Sequence, residues 1–328
     1  MRALVFEAGS AGVSDVSFPR VSDGEVLVAV SRTGMCGTDL GIVRKGRPQV
    51  DGPVVLGHEI VGVLAGGTRV AIDPFLACGS CSACIREDTN LCENLRIVGV
   101  HVDGGFAESL AVAERQIVTL PDTISDVQAS VVEPVATALH AWRKVEAGNP
   151  RSVGVIGAGA IGLSVMAVAA AHGIKATAAD VDDAMLAHAS LQGAAASGET
   201  LVGTFDVVFD CVGLETTRRQ AVEATRAGGT VVMIGLAGPD LVVPGRSMVT
   251  FERTIHGSFG YRHQDFVDAV DIAATMPTGW VGGYLLDEIT AILAGDSALP
   301  RGIAKAQLVA ERAPEPTPSS SDLTEEKA

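Results

Sequence analysis

The chain has 328 residues, of which 47% are hydrophobic, and it carries a formal net charge of −15 at pH 7. This length allows two domains with separate cores, and no run of eighteen apolar residues predicts a membrane span. The negative charge repels phosphate backbones and anionic lipids, so we expect neither nucleic acid nor membrane partners. The N-terminal sequence MRALVFEAG lacks a basic and then apolar leader, which predicts a cytoplasmic protein.

The first third of the chain is rich in short Val and Ile segments separated by Gly, Pro and Asp. Such a pattern is typical of short strands joined by tight turns. The clearest segments are residues 25–30, 59–64 and 69–72. We therefore predict an all-β, barrel-like N-terminal domain.

Two candidate metal ligands lie within this predicted barrel. Cys36 stands in the segment GMCGTD, while His58 and Glu59 directly follow Gly57. Taken singly, Cys36 is typical of a small buried residue and His58 of a histidine satisfied within a core. Taken together, they suit a catalytic zinc, which needs about three protein ligands and one open position. A carboxylate would then supply the third ligand.

Four cysteines have the spacing C-x2-C-x2-C-x7-C, and they are Cys78, Cys81, Cys84 and Cys92. Four thiolates can close the tetrahedral shell of one zinc ion and leave no position for a substrate. A disulfide framework is the alternative, but a long chain with only two other cysteines and no secretory leader disfavours it. We predict a structural zinc that holds a loop.

The pattern changes near residue 150, beyond which predicted strands alternate with predicted helices. This alternation indicates a parallel sheet with right-handed crossovers. The predicted strands are residues 152–156, 176–180, 205–210 and 230–235, and the predicted helices are residues 161–171 and 183–191.

A glycine-rich segment, GAGAIG at residues 157–162, joins the first strand and helix of this second domain. Gly157 allows a tight turn, Gly159 lets the backbone approach a pyrophosphate, and Gly162 allows close helix packing. The helix begins near Ala160 and Ile161, where free N–H groups attract an anion. Strand, glycines and helix together predict a dinucleotide site.

Asp180 ends the next predicted strand and can accept hydrogen bonds from an adenosine ribose. With Asp182 and Asp183 nearby, it would repel the extra phosphate of NADP, so we predict NAD as the cofactor. The alternative is that Asp180 merely caps the following helix. Val212 and Gly213, after a later strand, are expected to approach the cofactor at the switch point of the sheet.

Several segments together resemble the zinc-containing medium-chain dehydrogenase/reductase family of alcohol and polyol dehydrogenases. The resemblance implies an α/β fold with two parts: a GroES-like β-barrel catalytic domain at residues 1–134 and 261–311, and a Rossmann doubly wound parallel sheet at residues 135–260. A disordered tail is expected at residues 312–328, which contain one large apolar residue. The matching segments are GMCGTD at 34–39, LGHE at 56–59, the cysteine lobe, GGFAE at 104–108, VEPVATALHA at 132–141 and GAGAIG.

The resemblance also implies roles for individual residues. Cys36 and His58 would bind the catalytic zinc, with Glu59 or Glu133 as a further ligand or close neighbour. Thr38 would hydrogen-bond the substrate alcohol. The implied protein is an NAD-dependent zinc alcohol or polyol dehydrogenase that acts in a cleft between two domains on a small-molecule alcohol, commonly as a homo-oligomer.

Two departures from the family pattern bear on activity. Gly41 stands where the proton relay usually has a histidine, so protons would leave through water or another side chain such as His140 or His101. The segment between the Gly-His-Glu motif and the next predicted strand is shorter than is usual in the family, and it turns at Gly66-Gly67. These departures motivate one alternative, a non-catalytic nucleotide-binding scaffold or sensor.

The segment EPVATALHA resembles the sorbitol-type branch, because threonine dehydrogenases usually place Gly-Asn after the Glu-Pro pair. We expect a polyol or another secondary alcohol as the substrate. L-threonine and an aldose are the alternatives.

Overall fold

The computed structural model describes residues 1–46 and 52–310. The tail predicted to be disordered, residues 312–328, lies outside the described residues. The N-terminal part consists of short strands, as the alternating apolar pattern predicts. Its elements are β1 (Arg2–Glu7), β2 (Ser10–Asp15), β3 (Glu25–Gly34), α1 (Gly37–Lys45), β4 (Val54–Val55), β5 (Glu59–Leu64), β6 (Arg69–Ile72), β7 (Phe75–Leu76), α2 (Ser82–Ile85), β8 (Arg96–Ile97), β9 (Ser109–Ala113), β10 (Ile117–Thr119) and α3 (Asp126–Ala129).

The central part alternates strands and helices around a six-stranded parallel sheet with the order β13-β12-β11-β14-β15-β16. The chain leaves β11 to one side through β12 and returns on the other side through β14, which creates a topological switch point at β11. The elements are α4 (Val132–Arg143), β11 (Val153–Ile156), α5 (Ala160–Ala171), β12 (Thr177–Ala179), α6 (Asp183–Leu191), β13 (Ala195–Ala196), β14 (Phe205–Asp210), α7 (Glu215–Glu223), β15 (Thr225–Met233), α8 (Gly245–Thr250) and β16 (Thr254–Gly257).

The C-terminal part returns to the first sheet. Strand β18 pairs antiparallel with β3, with Gln307 opposite Gly34. The barrel sheet has the order β10-β6-β5-β3-β18-β17, and β9 also pairs with β3. The last elements are α9 (His263–Ala273), β17 (Val281–Tyr284), α10 (Leu286–Ala294) and β18 (Lys305–Val309).

Strands β5 and β6 form a hairpin that closes at Gly66 and Gly67, whose φ angles are 94° and 88°. Positive φ angles at both positions explain why glycine occupies them. Because this turn is tight, the start of β5 and the end of β6 lie side by side at the opposite end of the hairpin. Glu59 and Asp73 lie at that end.

The two-part α/β organisation predicted from the sequence is confirmed. The predicted boundary at residue 134 falls inside α4, and α9 packs in the same core as α4 and α5. The exact domain limits therefore stay a prediction. Across the two described ranges, no helix is long and apolar enough to cross a membrane.

Candidate active site and metal centres

The barrel brings three predicted ligands together. Cys36 precedes α1, while His58 and Glu59 lie at the start of β5. One thiol sulfur, one ring nitrogen and one carboxylate oxygen from these residues all lie within 4.8 Å of one another. His58 and Glu59 are buried, whereas Cys36 is partly exposed. This set of donors fits a catalytic zinc with one position left for a substrate.

Asp39 fixes the position of two of these ligands from the first turn of α1. Its Oδ2 accepts a hydrogen bond of 2.8 Å from the Cys36 amide, and its Oδ1 lies 3.6 Å from Nδ1 of His58. Burial lowers the pKa of His58, but the charge and hydrogen bonding of Asp39 outweigh it, so that this pKa lies well above 6.5. A carboxylate behind the imidazole leaves Nε2 as the ring atom that can bind a metal.

Lys305 is a buried site residue that sequence reasoning missed. Its Nζ donates to both carboxylate oxygens of Glu59, at 2.5 Å for Oε2. Burial lowers the pKa of Lys305, but the charges of Glu59 and Cys36 outweigh that effect and raise it above its usual value. The available signal was a single lysine at the start of the mostly apolar strand β18.

Gly34 makes room for the Glu59 carboxylate, because a Cβ at this position would lie 1.9 Å from Oε2 of Glu59. We expect Gly34→Ala to push the carboxylate out of the cluster and to lower catalytic zinc affinity and kcat/KM by about 10- to 100-fold. Gly37→Ala is the matched control, since a Cβ there would meet nothing within 4 Å. Zinc analysis and kinetics check the result; a Gly34→Ala protein with normal zinc and turnover would contradict it.

Glu133, the other predicted carboxylate, lies in the first turn of α4. It is not part of the three-residue cluster. Burial, and then the charge of Glu59, raise its pKa to about 7. The two carboxylates therefore share one electrostatic environment, with Glu59 the member that joins Cys36 and His58.

Thr38, whose hydroxyl is predicted to hydrogen-bond the substrate, lies beside the cluster. Its Oγ1 is 3.8 Å from Sγ of Cys36. Gly41 on the same helix leaves open space, because a Cβ there would meet nothing within 4 Å.

His140 is buried between Asp265, at 2.8 Å, and Asn90, at 3.4 Å, so it connects two segments of the fold. The other suggested proton acceptor, His101, accepts a hydrogen bond from the Ile97 amide.

The four cysteines of the lobe converge as predicted, with their sulfur atoms within 4.8 Å of one another. Neighbouring Sγ atoms are 3.5 Å apart for Cys81 and Cys84 and 3.9 Å apart for Cys81 and Cys92. A tetrahedral zinc with 2.3 Å Zn–S bonds requires sulfur atoms about 3.8 Å apart. All six cysteines of the chain are free thiols, so the disulfide alternative is not found. The geometry fits one structural zinc.

Backbone amides of the lobe point towards the sulfur atoms. Hydrogen bonds from the amides of Ser80 and Cys81 lower the pKa of Cys78 to about 5. Burial and the neighbouring Cys81 sulfur raise the pKa of Cys84 to about 12. A divalent cation offsets such repulsion between crowded thiolates, so the lobe is suited to a metal rather than to four independent thiols.

The predicted glycine fingerprint lies at the switch point after β11. Gly157 has a φ of 89°, and a Cβ on Gly162 would lie 1.8 Å from the Gly157 carbonyl oxygen. A Cβ on Gly159 would instead meet nothing within 4 Å. Gly159 precedes α5 without a side-chain cap, so the amides near Ala160 and Ile161 remain directed towards this space. The residues fit the pyrophosphate of a dinucleotide.

Asp180 lies after β12, beside the fingerprint. Its Oδ2 accepts from the Ala158 amide at 2.6 Å, and its Oδ1 accepts from the Asp182 amide at 2.8 Å. Asp182, rather than Asp180, caps α6 by accepting from the Ala184 amide. The Val212 side chain packs against Gly157, since a Cβ on that glycine would lie 2.5 Å from it.

Gly213 follows Val212 with a φ of 85°, and a Cβ there would lie 2.1 Å from the Gly235 carbonyl oxygen. The ends of β11 and β14 thus meet where the sequence places the cofactor. The assignment of individual cofactor contacts stays a prediction.

Known proteins support this organisation. The family description "Alcohol dehydrogenase GroES-like domain" matches residues 22–122, and "Zinc-binding dehydrogenase" matches residues 160–275. An L-galactonate-5-dehydrogenase from Escherichia coli K12 is 33% identical over 271 residues, which cover 76% of this chain and 79% of that protein. The chain belongs to the zinc-containing medium-chain dehydrogenase/reductase family.

Two further similar proteins are dehydrogenases of the same kind. An L-idonate 5-dehydrogenase from Vitis vinifera is 32% identical over 75% of this chain and 76% of its own length. The crystal structure of a zinc-binding dehydrogenase from Sinorhizobium meliloti 1021 bound to NADP has a TM-score of 0.85 and 28% identity, covering 94% of this chain and 99% of that chain. The protein is therefore a zinc-dependent oxidoreductase linked to NAD(P), and the predicted GroES-like and Rossmann fold is confirmed.

Proposed function

We propose that this dehydrogenase oxidises a secondary alcohol of a polyol or a related sugar acid, with NAD as the hydride acceptor. The observation that carries the proposal is the convergence of Cys36, His58 and Glu59 in a chain that also has a complete dinucleotide fingerprint. The relatives named for L-galactonate and L-idonate act on hydroxylated sugar acids, which supports this substrate class. A homo-oligomeric state and a cytoplasmic location, expected from the sequence, belong to the same proposal.

In this proposal Cys36, His58 and Glu59 hold the catalytic zinc, and the lobe cysteines hold the structural one. A bound zinc supplies a Lewis acid that lowers the pKa of a coordinated hydroxyl. Asp39 orients His58 and Cys36, while Lys305 holds the Glu59 carboxylate in place. Thr38 is placed to hydrogen-bond the substrate hydroxyl beside Cys36.

The Rossmann part holds the hydride acceptor. The amides at the start of α5 bind the pyrophosphate, and Gly157, Gly159 and Gly162 allow the backbone to approach it. Asp180 accepts the ribose hydroxyls, and with Asp182 it disfavours the additional phosphate of NADP. Binding both reactants in one cleft holds the carbon that donates hydride close to the nicotinamide.

The test is the rise of reduced-nicotinamide absorbance when zinc-loaded protein meets polyols, sugar acids, simple secondary alcohols, aldoses and L-threonine. We expect turnover on polyols or sugar acids, with kcat/KM for NAD at least about tenfold above that for NADP. Equal kinetics with both cofactors would contradict the role of Asp180. Turnover on L-threonine or an aldose alone would show that the proposed substrate class is wrong. No turnover on any compound of the panel, with both zincs bound, would contradict the proposed function.

A further inference from the structure

A dinucleotide bound at the predicted site must cross the carboxyl edge of the parallel sheet. Ile156, Asp210 and Met233 stand side by side at the ends of β11, β14 and β15, so the segments that follow these strands leave the sheet next to one another. The proposed function places the adenosine ribose at Asp180, after β12, and the pyrophosphate after β11. Since β14 and β15 come next in the sheet, the nicotinamide half lies beside the segments that follow them.

The turn after β14 is fixed by the aspartate that ends the strand. Asp210 is fully buried, and its Oδ1 accepts hydrogen bonds from the amides of Val212 and Gly213, at 3.1 and 3.0 Å. One carboxylate oxygen thus sets the backbone of both residues, and this turn forms a rigid edge of the cofactor cleft.

The loop after β15, residues 235–240, lies directly on that turn. The Ala237 amide donates to the Val212 carbonyl oxygen at 3.2 Å. The Gly238 amide donates to the Gly213 carbonyl oxygen at 2.9 Å. The loop and the turn are therefore joined backbone to backbone, and a shift of the loop changes the surface that both present to the cofactor.

Arg218 of α7 bonds the two ends of this loop. Its terminal nitrogens donate to the carbonyl oxygen of Asp240 and, at 3.5 Å, to that of Gly235. The side chain is 7% exposed, and in the part of the chain that the structure describes it forms no ion pair with a carboxylate. Burying a charge without a counterion costs free energy, and the two carbonyl groups offset part of that cost. The positions of Arg218 and of the loop therefore depend on each other.

We propose that Arg218 is a positioning residue of the cofactor site. It holds residues 235–240 against the turn after β14 and so shapes the place of the nicotinamide half of NAD. The inference rests on the proposed use of NAD. Arg218 acts through the loop, so the adenosine half, which is placed at β12 and β11, does not depend on it.

The test compares the binding of NADH with that of ADP, which contains the adenosine and pyrophosphate but lacks the nicotinamide half. In Arg218→Met, which fills similar space without donating hydrogen bonds, we expect the Kd of NADH to rise about tenfold and the Kd of ADP to stay unchanged. The KM for NAD should rise with the Kd of NADH, while the KM for the alcohol stays unchanged. Arg219→Met is the matched control, because this neighbouring arginine is exposed and pairs with Glu215 on the same helix.

Two outcomes of these titrations would overturn the proposal. One is an unchanged NADH affinity in a folded Arg218→Met protein. The other is an equal loss of affinity for NADH and ADP, which would show that Arg218 supports the whole nucleotide-binding part rather than one half of the site.

A second measurement uses the parent protein and does not depend on the folding of a variant. Bound NADH should slow hydrogen exchange in residues 235–240, whereas bound ADP should not. Protection by both ligands, or by neither, would overturn the inference. Failure of the proposed function is distinguishable, since it appears as a parent protein that turns over no compound of the panel or uses NAD and NADP equally well.

Discussion

Cys36→Ser is expected to lower kcat/KM by about 10³-fold while leaving the fold intact. The substitution removes one of three ligand atoms that lie within 4.8 Å of one another, so the catalytic zinc should be lost. Lewis-acid stabilisation of a developing alkoxide contributes several kcal/mol, and about 4 kcal/mol corresponds to about a thousandfold in rate. Zinc analysis should fall from two ions per chain to one, with unchanged circular dichroism.

Cys211→Ser is the matched control for this loss. Cys211 follows β14, and burial raises the pKa of its thiol, so it is a poor metal ligand. It belongs to neither cysteine cluster among the described residues. We expect the control to keep two zincs and most of its turnover. A Cys36→Ser protein that still binds two zincs and turns over normally would remove the catalytic site as assigned.

Much of the fold could be predicted because local patterns decide it. The predicted strands at residues 59–64, 69–72 and 205–210 and the helix at 183–191 match the observed elements residue for residue. Each has a clear apolar period bounded by glycine, proline or a capping aspartate. Strand β17 is hard to predict from the sequence, because it contains Gly282 and Gly283, and glycine is a weak strand former.

The ligand groups could also be predicted, because their members lie close together in sequence or carry family segments. The contacts that connect them could not. Lys305 bonds Glu59 across 246 residues, and His263 bonds Asp73 across 190 residues. No spacing rule links such positions, since the pairing depends on the register of β5, β6 and β18 in the folded sheet. The supporting residues of a site are therefore the part that needs a structure.

Two other long-range contacts connect the cysteine lobe to residues 259–262. Asn90, just before Cys92, donates to the Phe259 carbonyl oxygen at 2.7 Å. Asp88 pairs with Arg262 at 2.5 Å. The segment between these partners carries Tyr261 and leads into His263. A metal that orders the lobe thus also helps to hold residues 259–262 in place.

We expect Cys81→Ser to remove the structural zinc and to lower the Tm by about 10 °C, with a smaller loss of kcat than Cys36→Ser. Structural zinc sites contribute folding free energy directly, and a loss of about 3 kcal/mol lowers the Tm by about 10 °C in a domain of this size. Hydrogen exchange should speed up in residues 78–97 and, through Asn90 and Asp88, in residues 259–263. Cys36→Ser is the reciprocal control, because it should lose one zinc without this change in Tm or exchange. If Cys81→Ser kept its Tm and the exchange protection of both segments, the lobe would not be a stabilising zinc site. If only residues 259–263 stayed protected, the zinc would stabilise the lobe alone, and its coupling to residues 259–263 would be wrong.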